Sequence, residues 1–232
     1  MSQVSHPASI FHVIHFCTMN GTVLPAELGA PAPTPDGIDY VGDLALMGWC
    51  DSKGIPTPLG ILLLSAFRAP HRIWGAVDAN HDDSTATTYF RINSVDDTTI
   101  LAVRAGLWVT VTLFPMPLSH KKQGELIEQL CFPEQHPYGE TRFPPMTLGL
   151  DQLHAPYEGV NVKHRQALQK LDDNPQFGGV SVYSDDVFVF GGTMSEIYGP
   201  VGWYPITGAD GRGMLFVNAW GVNDIADRLG RL

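Results

Sequence analysis

His12 and His15 stand three residues apart near the start of the chain. On a strand they would face opposite sides; on a helix they could share a face. A zinc site needs three or four ligands in tetrahedral reach, and this pair brings no third. His81-Asp82-Asp83 is the one metal-like cluster, and it sits in a polar segment that reads as an exposed loop. Four aspartate pairs, Asp82-Asp83, Asp96-Asp97, Asp172-Asp173 and Asp185-Asp186, could do acid–base work if burial drove their pKa values apart. Each falls at a turn or a helix end, where aspartate is favoured because its side chain bonds nearby backbone. Cys17, Cys50 and Cys131 are far apart and odd in number, which implies neither a disulfide framework nor a zinc knuckle. The glycine-rich run Gly208 to Gly213 (GADGRG) lies between two strand patterns with no helix after it, so it predicts a hairpin turn rather than a phosphate loop. No G-x-S-x-G elbow and no H-E-x-x-H helix occurs. The residues therefore point away from catalysis, and neither a metal nor a cofactor is expected. Catalytic groups drawn from distant positions leave no local signature, so an unrelated hydrolase or metal-dependent enzyme stays open beside a binding protein.

The elements that would position these residues belong to a globular chain. Of the 232 residues 44% are hydrophobic and 16% charged, enough apolar matter for a core. A formal net charge of −10 argues against nucleic acid as a partner and against an anionic membrane surface. No Lys or Arg precedes Lys53, so a signal peptide would lack its positive region, and no apolar run approaches a membrane span. The expectation is a cytoplasmic protein without membrane insertion.

Ala30 to Pro35 reads as an extended linker. Asp36 is placed as the cap of a helix through Ile38, Val41, Leu44 and Trp49, stopping at Gly54. Thr57 caps a second helix, with Pro58 in its first turn and an end before Pro70. Strands are predicted at Arg72 to Val77, Thr87 to Asn93, Thr99 to Arg104 and Leu107 to Phe114, the last alternating cleanly. Ser119 caps a helix carrying Leu126, Ile127 and Leu130. From Cys131 to Pro156 periodicity fails, apart from a short strand near Met146 to Leu150. A helix near Val162 to Leu171 precedes strands at Val180 to Tyr183, Val187 to Phe190, Val201 to Ile206 and Met214 to Val217. Val222, Ile225, Ala226 and Leu229 close the chain as an amphipathic helix. The two halves, about 1–130 and 145–232, share an order of elements. That order predicts one pseudo-symmetric α+β domain over residues 1–232.

Three segments together resemble the EspG family of type VII secretion chaperones. They are Leu46 to Pro70 (LMGWCDSKGIPTPLGILLLSAFRAP), Ile100 to Leu113 (ILAVRAGLWVTVTL), and Val201 to Trp220 (VGWYPITGADGRGMLFVNAW) with the helix after it. Gly211-Arg212 matches the family's Gly-Arg turn. The resemblance implies a central, mostly antiparallel sheet flanked by helices with quasi-two-fold, similar halves. It implies no cofactor and no catalysis. It also implies a partner: a PE–PPE heterodimer-like secretion substrate, held by the helical tip of PPE and kept soluble and secretion-competent. The chain itself would be a monomer or at most a weak dimer. An interaction protein with another partner is the further alternative. In the family, the loop between the second and third strands contributes to binding. Here that loop is Asp78 to Thr87 (DANHDDSTAT), and Asp78, His81, Asp82, Asp83, Ser84 and Thr85 are its candidate partner-binding residues. Its polarity predicts an exposed, mobile rim acting through charge. The apolar anchor would come from a sheet face or the C-terminal helices.

Overall fold

The computed structural model describes residues 4–29, 33–81, 84–131, 142–154, 156–174, 176–221 and 223–232. The fold is α+β, an antiparallel sheet of ten strands with six α-helices among the described residues. The chain divides into two compact units, residues 1–76 with 87–118, and residues 77–86 with 119–232.

The first unit opens with two elements that the periodicity does not announce, β1 (Val4–Ser9) and α1 (Ile10–Met19). Ser9 accepts the His12 backbone N–H and starts the helix. Ile10, Val13, Phe16 and Cys17 form its buried face, packed into a core with Val109, Val111, Ile100 and Ala102 of the strands. α2 (Tyr40–Leu46) is shorter than the sequence predicts. Asp39, not Asp36, caps it, accepting the Gly42 N–H at 3.0 Å. It stops at Gly48, not Gly54. Gly48 adopts φ +74°, its N–H reaches Ala45 O at 3.0 Å, and the Trp49 N–H reaches Leu44 O at 2.9 Å. That pair of bonds satisfies the last carbonyls and turns Trp49 into the core, where it is fully buried. α3 (Pro58–Arg68) follows the expectation: Thr57 Oγ1 accepts the Gly60 N–H at 3.2 Å and the helix ends before Pro70.

The next strands are β2 (Ile73–His81), β3 (Ser84–Val95), β4 (Thr98–Ala105) and β5 (Trp108–Phe114), all in the first unit except residues 77–86. Their order is β1-β5-β4-β3-β2. Asp96 takes φ +49° in the predicted β3–β4 turn.

The second unit carries α4 (His120–Cys131), β6 (Met146–Gly149), α5 (Val162–Asp172), β7 (Gln176–Ser184), β8 (Val187–Ser195), β9 (Gly199–Thr207), β10 (Gly213–Ala219) and α6 (Asp224–Leu229). Its strand order is β7-β8-β9-β10-β6. Each unit is thus a four-strand meander whose first strand in the chain, β1 or β6, returns beside the last, β5 or β10. The GADGRG run forms the β9–β10 hairpin, closed by Gly208 N to Arg212 O at 2.8 Å. The core joins Met146, Leu148, Val201 and Val217 to Ala167, Leu168 and Leu171 of α5. The stripe of α6 is used up in packing, with Ile225, Ala226 and Leu229 all fully buried. Val222 of the predicted stripe lies outside the described residues.

Candidate functional site

The segment predicted as the exposed loop Asp78 to Thr87 is in large part strand. β2 continues to His81 and β3 begins at Ser84, which makes one long hairpin. Polar sequence on both faces hides the strand from any periodicity test, whereas Thr85, Thr87 and Thr88 suit extended backbone through their branched Cβ. Asp78 is exposed on β2, His81 ends that strand, and Ser84 and Thr85 open β3. Four of the six predicted residues therefore gather at the end of one hairpin; Asp82 and Asp83 lie outside the described residues.

A polar cluster the sequence reading missed holds the base of this hairpin. Arg91 on β3 is buried, 3% exposed. Its Nη1 pairs with Glu27 Oε2 at 2.9 Å and its Nε donates to Asn93 Oδ1 at 2.7 Å. Its Nη2 donates to Ala66 O and Phe67 O at 3.3 Å, in the last turn of α3, and to Ala69 O at 2.7 Å, just past its end. A cation there meets the negative end of the helix dipole. Arg72 completes the cluster by pairing with the other Glu27 oxygen. Burial alone would raise the Glu27 carboxyl; its backbone hydrogen bond and the Arg91 and Arg72 guanidinia outweigh burial and bring it below the usual carboxylate value. The one legible signal was an Arg in a strand otherwise rich in core residues.

The second unit offers an apolar face. Tyr204 and Ile206 alternate on β9, opposite Phe216 and Met214 of β10, so the four project to one side as two cross-strand pairs. All four are half-buried. The Tyr204 and Phe216 rings lie 5.3 Å apart, and the Arg228 guanidinium of α6 stacks over Tyr204 at 3.4 Å.

α6 itself is held from α4. Asn223 precedes it in the left-handed region, φ +78°, without a side-chain cap. Glu128, 7% exposed, supplies the missing acceptor: Oε1 takes the Ile225 N–H at 2.9 Å and the Ala226 N–H at 3.3 Å. The helices touch so closely that a Cβ on Gly124 would stand 2.4 Å from Ala226 Cα. Burial pushes the Glu128 carboxyl up despite those N–H groups, and Asp224 adds to the rise.

The histidine pair lies on one face of α1. His12 Nε2 meets Asp43 Oδ2 of α2 at 2.9 Å, and its Nδ1 bonds the Ser9 hydroxyl. The order Ser–His–Asp looks like an activated nucleophile, but Ser9 is the α1 cap and His12 occupies the position from which a capping box reaches back. His15 stacks on Tyr40 at 4.7 Å. Both histidines tie α1 to α2. Among the described residues no three metal-ligating groups gather, and no helix is long and apolar enough to cross a membrane.

No protein-family model and no curated protein matches the chain by sequence. Its fold, however, matches a solved structure of the Mycobacterium tuberculosis type VII secretion system chaperone EspG5 in complex with the PE25-PPE41 dimer. The TM-score is 0.68 at 10% identity, over 98% of this chain and 94% of that one. The α+β fold expected from the EspG resemblance is the one observed.

Proposed function

We propose that this chain is a cytoplasmic chaperone of type VII secretion that binds a PE–PPE heterodimer and keeps it soluble and secretion-competent, as a binding protein rather than an enzyme. The observation that carries this reading is the match, over nearly the whole of both chains, to EspG5 solved with its PE25-PPE41 dimer. In this reading the face formed by Tyr204, Ile206, Phe216 and Met214 takes the apolar helical tip of PPE. Aromatic side chains give such contacts large area at small entropic cost. The hairpin residues Asp78, His81, Asp82, Asp83, Ser84 and Thr85 form the polar rim, which steers approach more than it adds affinity. Pull-down from the native lysate with mass spectrometry should return a PE–PPE pair in near-equal amounts. Tyr204→Ala with Phe216→Ala should lose that capture by tenfold or more. Capture of an unrelated partner, or an undiminished capture by the double variant, contradicts the reading or its site respectively.

A further inference from the structure

We infer that Arg228 is a specificity-determining residue of the Tyr204–Phe216 face, and that it takes a carboxylate which the partner carries beside its apolar tip. The inference deepens the proposed docking on this face and rests on it. Arg228 stands on α6 and lays its guanidinium over the Tyr204 ring, 3.4 Å from the centroid. That separation is too short for an edge-on approach, so the cation stacks flat and its N–H groups leave along the ring rather than into it. Among the described residues those N–H groups meet no acceptor. The acids nearest along α6 are engaged elsewhere. Asp224, four residues earlier and spaced for a helical ion pair, accepts the Gly221 N–H at 2.7 Å. Asp227 pairs with Lys121 of α4 at 3.5 Å.

Arg228 is therefore a half-buried cation without a counter-ion, at the rim of an apolar face. Its place is fixed, because Glu128 and the close Gly124–Ala226 contact seat the helix that carries it. The Tyr204 and Phe216 rings lie 5.3 Å apart, so a ligand that covers the aromatic pair also covers the edge of the guanidinium. Covering it with apolar surface alone strands its donors, which is costly. A carboxylate offers two oxygens to the fork, whereas a single backbone carbonyl meets it with one. The face thus prefers an apolar tip flanked by an acid and rejects an equally apolar tip without one.

The test compares the full chain with Arg228→Gln, which loses charge and fork, and Arg228→Lys, which keeps the charge and loses the fork. Thermal melting reports whether each variant is folded. Titration calorimetry against a PE–PPE heterodimer from the same source should show binding weakened about tenfold or more by Arg228→Gln and about threefold or more by Arg228→Lys. Binding by Arg228→Gln equal to that of the parent overturns the inference. Should Arg228→Gln not fold, Arg228→Lys decides by the same comparison. A second measurement uses the chain alone with phenylacetate and phenylacetamide as probes, followed by NMR of the Tyr204 and Phe216 rings. The parent should bind the acid more tightly than the amide, and Arg228→Gln should bind the two alike. A merely structural Arg228 would not tell acid from amide. Should the parent bind no heterodimer, the proposed function fails and the probes decide alone. Equal affinity of the parent for acid and amide, or a preference that persists in Arg228→Gln, then overturns the inference.

Discussion

Both units bury a charged side chain at the end of a helix, and they satisfy it in different ways. In the first, Arg91 meets the C-terminal carbonyls of α3, with Glu27 as a full counter-charge. In the second, Glu128 meets the N-terminal amides of α6, and the nearby charge acting on it, Asp224, has its own sign. Each sign suits its helix end. The consequences for ionisation differ: its backbone hydrogen bond and the two guanidinia together bring Glu27 down, while burial leaves Glu128 raised. Backbone N–H groups lower both carboxyls, but only Glu27 also meets cations, and only there is desolvation outweighed.

The comparison breaks most sharply at Arg91. Arg91→Ala leaves the half-buried Glu27 with half its counter-charge and removes a donor from the carbonyls of Ala66, Phe67 and Ala69 at the end of α3. A loss of about 3–5 kcal/mol is expected, read from urea unfolding, as for other buried pairs broken from one side. A smaller effect is expected at Gly124. Gly124→Val drives a side chain into the Ala226 backbone and should cost about 1–3 kcal/mol, with the loss concentrated in the exchange protection of α6.

The subtlest effect is the sign of the pH response. The folded state raises Glu128 above 4.5 and therefore binds its proton more tightly than the unfolded chain does. Its contribution is complete below 4.5 and fades as pH rises through the raised value. Glu27 runs the other way: its contribution is present above 4.5 and is lost as pH falls through its lowered value. Glu128→Gln keeps an acceptor for α6 and removes the charge. Its stability relative to the parent should improve as pH rises from 4.5 toward neutrality, whereas Glu27→Gln should show its largest deficit at neutral pH. Parallel curves for the two variants would erase the distinction.

Most elements were legible because pattern and packing agree in them. The alternation of Leu107 to Phe114 and the stripe of Ile225, Ala226 and Leu229 each face one core, so period alone finds them. α1 was hidden because His12 and His15 interrupt its apolar run; they are spent on Asp43 and Tyr40, partners 25 or more residues away. The ends of β2 and β3 were hidden because strands polar on both faces have no period to read. The candidate site was legible in part. Its polar residues were found as a loop. The Arg91 cluster and the Glu128 cap join residues distant in the chain, and no local spacing encodes such pairs.

The most direct measurement is to produce a PE–PPE heterodimer from the same source with and without this chain, and to weigh the soluble products by size-exclusion chromatography with light scattering. The account predicts a complex of one chain with one heterodimer, and a rise in soluble PE–PPE whenever the chain is present. A heterodimer that elutes alone, in the same yield with or without the chain, would contradict it.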